Sequence, residues 1–106
     1  MIGSTIDSIK RLAAARAVGI TLHARHEMDA DRIRTDDMLD AIARQSSAII
    51  EDYSDDPRGH SVLVLAWTSV REPIHVCCAV HEETLIIITV YRPSETRWHQ
   101  DWRIRI

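Results

Sequence analysis

The hydrophobic pattern changes period once, near residue 47. Before that point apolar residues recur at three- and four-residue spacing, the mark of helices that bury one stripe. Ile6, Ile9, Ala13 and Ala17 make such a stripe over residues 5–18, with Lys10, Arg11 and Arg16 off it. Ser4 or Thr5 is placed to cap its free N–H groups, and Gly19 to stop it. Thr21 caps a second helix expected over 22–30, where Leu22, Ala24 and Met28 are the apolar members. A third helix follows Thr35. Asp36 and Asp37 stand at its positive end, Met38, Ala41 and Ile42 form its buried stripe, and Arg44 favours its negative end.

After residue 47 the segments shorten and fill with β-branched and aromatic residues. Residues 48–53, 61–68, 73–80 and 85–91 read as strands separated by turn material. The run Asp55-Asp56-Pro57-Arg58-Gly59 is a loop, while Ser69–Glu72 and His81–Thr84 are short enough for hairpins. An antiparallel meander follows. The expected fold is α+β: one domain, residues 1–106, with N-terminal helices on one face of a four-stranded antiparallel sheet. In the tail, 94–106, Trp98 and Trp102 lie four apart, on one face of either a helix or a strand.

Composition narrows the function classes. With 106 residues, 45% hydrophobic and 27% charged, the chain is ordinary globular material and not a disordered segment. A net charge of −3 excludes an indiscriminate, histone-like binder of nucleic acid but leaves room for a local basic patch. The longest apolar stretches, Val62–Trp67 and Leu85–Ile88, are strand-sized, so no membrane partner is expected. Arg16 breaks the alanine run Ala13–Ala17, and Cys77 and Cys78 are adjacent, unlike a secreted disulfide framework. A cytoplasmic location is expected.

Alternation sorts the last two strands. Ile74, Val76, Cys78 and Val80 share one face of the third strand, and His75, Cys77, Ala79 and His81 the other. On the fourth, strict alternation puts Thr89 and Tyr91 with Leu85 and Ile87, and Arg92 opposite.

Several stretches carry a resemblance. They are His23-Ala24, Met28, Ile33, Asp36-Asp37, Ile49-Ile50-Glu51-Asp52-Tyr53, Pro73-Ile74-His75-Val76 and Ile88-Thr89-Val90-Tyr91-Arg92-Pro93. In that order they resemble the bacterial family catalogued as domain of unknown function 4258, over residues 21–93. That family is similar in layout to the RelE/ParE-like toxin ribonucleases. The resemblance implies a helix pair on an antiparallel sheet, with RNA chemistry on the open sheet face. Glu27 and Ala30-Asp31 stand where the family usually carries an arginine.

RNA cleavage without metal needs a base for the 2′-hydroxyl, an acid for the leaving oxygen and a cation for the phosphate. His75 is expected as base or acid, Tyr91 as donor or orienting group, and His23 as a second imidazole. Arg92, Arg97 and Arg103 are the expected RNA-binding cations. For this to work, His75 must be partly accessible beside Tyr91, and the tail must fold back to bring its arginines there. The plainer readings are also specific. His75 would satisfy a hydrogen bond, His23 would pair with Glu27, and the two tryptophans would form a lid. Arg92, Arg97, Arg103 and Arg105 would then be solvated.

No cofactor is expected. His23 and His26, or His75, Cys77 and His81, are zinc-ligand types, but three strand ligands in line span too far for one ion. The functional expectation is a toxin-like, metal-independent RNA-cleaving or RNA-binding domain, with RNA or an antitoxin-like protein as partner. The alternative is a non-catalytic protein-binding module that uses the open sheet face or an edge, for example as a homodimer.

Overall fold

In the computed structural model, residues 5–57 and 59–106 are described; Ser4 and Arg58, both named above, lie outside them. Helix α1 spans Ile6–Ala14 and is capped by Thr5, whose hydroxyl accepts the Ser8 N–H at 3.2 Å. It ends sooner than the apolar spacing predicts. Arg16 takes a left-handed conformation (φ 60°), and the N–H groups of Arg16 and Ala17 turn back to the carbonyls of Ala13 and Leu12. This is a Schellman ending with arginine where glycine is usual. The Arg16 guanidinium is held by the Ala13 carbonyl and by Asp40 at 2.7 Å.

The early stop frees Val18–Ile20 to become a strand, β1. Thr21 then caps helix α2 (Leu22–Asp31), as its position predicts, and α3 (Thr35–Ala43) follows. Four further strands complete the chain: β2 (Ala48–Tyr53), β3 (Ser61–Trp67), β4 (Pro73–His81) and β5 (Thr84–Tyr91). The sheet order is β1-β5-β4-β3-β2, with β1 parallel to β5 and the other pairs antiparallel. The α+β class stands, but the sheet has five strands and is mixed, not four and antiparallel. Three residues carry too little pattern to announce β1; it exists because β5 offers an open edge.

Ile9, Leu12, Met28, Met38 and Ile42 from the helices pack against one face of the sheet. That face presents Val62, Val64, Ile74, Val76, Cys78, Leu85, Ile87 and Val90, all fully buried. Among the described residues no helix is long and apolar enough to cross a membrane.

The fourth-strand alternation needs correction. Cys78 pairs with Ile87 but Cys77 with Thr89, so Ile88 is an extra residue in β5. This β-bulge reverses the facing of everything after it. Leu85 and Ile87 face the helices, whereas Thr89 and Tyr91 pair with Cys77 and His75 on the outer face. β2 repeats the device at its own bulge. Ile49 pairs with Val64 on the helix side, and beyond Ile50 it is Glu51 and Tyr53 that pair with Leu63 and Ser61. Two bulges therefore turn two polar pairs onto the face away from the helices.

Candidate functional site

His75 sits in the middle of that outer face, directly opposite Tyr91 in the β4–β5 register. Its Nδ1 is 3.1 Å from the Tyr91 hydroxyl and its Nε2 is 2.8 Å from the main-chain oxygen of Trp102. A carbonyl only accepts, so Nε2 carries the proton; Nδ1 then accepts and the Tyr91 hydroxyl donates. The ring is neutral and fully satisfied. Burial pushes its pKa below the ordinary value, more than the Trp102 carbonyl raises it.

The expected access to His75 is absent: the residue is 0% exposed. The cover is the tail. Residues 97–99 and 104–106 run back on each other, with His99 N–H bonded to the Ile104 carbonyl and Ile106 N–H to that of Arg97. Trp98 thereby stands edge-on over His75, ring centres 4.3 Å apart. Trp102, at a left-handed turn (φ 65°), contributes its carbonyl and not the face of its ring. The two tryptophans thus belong to neither one helix face nor one strand face. Leu63, Leu65 and Trp98 are buried outside the helix-side core, so the tail closes a second, smaller core over the sheet.

The tail is fastened at its far end by Arg105. The guanidinium forms two hydrogen bonds with Glu51, at 2.8 and 2.9 Å, and lies 4.7 Å above the Trp98 ring. Tyr53 also donates to Glu51. Arg105 holds the Glu51 carboxyl below its usual range, while burial and Glu51 push the Tyr53 hydroxyl up to about 12. Burial also raises Tyr91. Bidentate, charge-assisted geometry of this kind fixes orientation as well as adding energy.

Beside this closed core lies an open cleft of about 500 Å³, lined by Glu27, Thr89, Tyr91, Arg92, Ser94, Arg97, Trp98 and Arg105. Among the described residues Arg97 has no carboxylate within ion-pair distance. Arg92 is already committed. Its Nε donates to the Asp31 carbonyl, its backbone N–H to the Asp31 carboxylate, and Nη1 approaches Glu72 at 3.5 Å. Glu27 and Asp31, one turn apart on α2, accept the N–H groups of Val90 and Arg92, and Thr21 donates its hydroxyl to the Ile88 carbonyl. α2 therefore seals the edge of β5 beyond β1 with side chains instead of a strand.

Of the expected residues, His75 and Tyr91 are brought together, and Arg92 and Arg97 border the adjoining cleft. His23 is not brought in. It is exposed and pairs with Glu27 at 3.3 Å, outside the cleft lining. Arg103 is exposed and also outside the lining; Arg105 stands at the cleft in its stead. Glu51, Tyr53, Thr89 and Glu27 were not singled out by their sequence. For Glu51, Tyr53 and Thr89 the signal was the adjacent isoleucines before the polar residues, Ile49-Ile50 and Ile87-Ile88, which break alternation where each bulge falls; Glu27 on α2 has no such signal. Among the described residues no group of three or more His, Cys, Asp or Glu is arranged to hold a metal ion.

A family model matches residues 20–92, more than half of the chain. The chain belongs to the family described as Domain of unknown function (DUF4258). No curated protein and no solved structure matches it. The DUF4258 match runs from the last residue of β1 through β5 and takes in Glu27, Glu51, Tyr53, His75 and Tyr91. It stops at Arg92. Trp98, Trp102 and Arg105 lie beyond it, so the cleft is assembled from the DUF4258 segment and the tail that follows it.

Proposed function

We propose that this DUF4258 chain is a toxin-like, metal-independent RNA-binding domain that holds single-stranded RNA in the cleft between α2, β5 and the tail. The observation that carries this reading is the return of the tail, which gathers Arg92, Arg97 and Arg105 around the rings of Tyr91 and Trp98. Arg97, with no carboxylate at ion-pair distance among the described residues, supplies a phosphate contact, and the half-buried Tyr91 ring supplies the stacking surface. Enclosed and satisfied at both nitrogens, His75 shapes the cleft wall and does not touch the RNA.

RNA cleavage is a second reading, favoured by the chain Tyr91–His75–Trp102. In it the Tyr91 oxygen takes the 2′-hydroxyl proton while passing its own to His75 Nδ1, and the Trp102 carbonyl stabilises the imidazolium through Nε2–H. The 2′-oxygen attacks phosphorus. The departing 5′-oxygen takes a proton from water, the hydroxide left is neutralised as His75 returns its proton through Tyr91, and a 2′,3′-cyclic phosphate remains.

The test is a titration with labelled single-stranded RNA at low and moderate salt, on wild type and Arg97→Ala, with a cleavage assay on wild type and Tyr91→Phe. Affinity should fall steeply with salt, and losing one phosphate contact should flatten the log–log slope by about 0.7. Absence of salt-dependent binding would sink the RNA reading. A salt-sensitive dimer in its place would favour the protein-binding alternative, and binding without Tyr91-dependent cleavage would remove the second reading.

A further inference from the structure

The cleft holds one carboxylate among three arginines, and its placement is specific. Among the described residues Glu27 is the only acidic one in the lining, and its side chain is 25% exposed. Oε1 is engaged twice, by the Val90 N–H at 2.9 Å and by His23 Nε2 at 3.3 Å. Oε2 has no partner among the described residues. The carboxylate is therefore oriented by one oxygen, and the other is left with two open acceptor positions. Beside it lie the half-buried Tyr91 ring and the Arg97 cation, while Trp98 is buried beneath Arg105.

We infer that Glu27 selects guanine, making the cleft a site for an unpaired guanosine in single-stranded RNA. The inference rests on the RNA-binding reading and narrows it. The argument is donor counting along the Watson–Crick edge, which proteins read in unpaired bases. Guanine presents two adjacent N–H donors, N1–H and the 2-amino group. Adenine and cytosine each set an amino group beside a bare ring nitrogen, whose lone pair repels a carboxylate. Uracil flanks its single N–H with two carbonyls. Only guanine offers a carboxylate two neighbouring donors, with its O6 and N3 lone pairs lying outside that pair. Stacking on an aromatic ring tolerates every base, so the Tyr91 ring supplies affinity and Glu27 supplies the choice. Arg97, on the same lining, is placed for the adjoining phosphate.

The experiment uses labelled oligonucleotides that are uridine throughout except for one central position, measured by fluorescence anisotropy on the full chain. Guanosine at that position should bind about tenfold more tightly than adenosine, cytidine or uridine, the scale of one good two-point base contact. Inosine lacks the 2-amino group and should lose most of that advantage, whereas 7-deazaguanosine keeps both donors and should retain it. Glu27→Gln still offers an oxygen to the Val90 N–H but turns a donor toward the base; it should bring guanosine down to the level of uridine. Circular dichroism and the thermal midpoint establish that the variant is folded. Equal affinity for all four bases, a preference for cytidine, or inosine equal to guanosine would overturn the guanine assignment while leaving RNA binding in place. Failure of every oligonucleotide to bind would overturn both.

Discussion

Replacing His75 with phenylalanine removes its hydrogen bond to the tail, at the Trp102 carbonyl, and its bond to Tyr91 on β5, while keeping an aromatic ring against Trp98. The Trp102 carbonyl and the Tyr91 hydroxyl each lose their partner, the fully buried His75 ring. At about 0.5–1.5 kcal/mol net for each hydrogen bond, the loss is roughly 1–3 kcal/mol. A domain of this length has about 5–15 kcal/mol in total, so the change is measurable without unfolding the chain. At about 4–8 °C per kcal/mol, the thermal midpoint should fall by about 5–20 °C. The local signature is more telling than the global one. The amide protons of His99 and Ile106, which bond to the Ile104 and Arg97 carbonyls, should exchange faster, because the tail hairpin loses its anchor on the sheet. Amides of β3 and β4 should change only by the global loss. If the midpoint stays within about 2 °C of wild type and the two tail amides keep their protection, His75 does not hold the tail and the second core is wrongly explained.

Two further outcomes follow from the same geometry. Because burial keeps the folded imidazole neutral, the unfolded chain binds the extra proton; stability should fall as pH drops below the ordinary histidine value of 6.5 and level off beneath the lowered folded value. A further loss should follow below 4.5 as the paired Glu51 is protonated, and urea unfolding of wild type and His75→Phe across this range should show the first limb vanish in the variant while the second remains. Deleting Ile88 removes the extra residue and lets plain alternation carry Ile87 inward, Thr89 outward, Val90 inward and Tyr91 outward; the chain should keep a cooperative thermal transition by circular dichroism, and loss of that transition would refute the reading of Ile88 as the extra residue of the bulge.

The sequence by itself determined the helices, the four longer strands and the helix-side face of β4, because each rests on a local period. Its Ile74, Val76 and Cys78 lie under the helices as alternation requires. It also held a clue to the second core. In β3 the run Ser61–Ala66 is buried on both faces, and an uninterrupted apolar strand has that meaning. What the sequence did not determine was where alternation fails and what covers the outer face. A bulge inserts one residue without changing composition, so Thr89 and Tyr91 read as companions of Leu85 and Ile87 until pairing with β4 fixes the register. β1 is three residues long and forms only against an edge that β5 supplies. The tail carries no regular period, and its path is set by partners far away in the chain. Glu51 lies 54 positions before Arg105, and His75 lies 27 before Trp102. Contacts of that range depend on the finished sheet, and so the burial of His75, the exclusion of His23 and the exchange of Arg103 for Arg105 at the cleft were decided by tertiary structure alone.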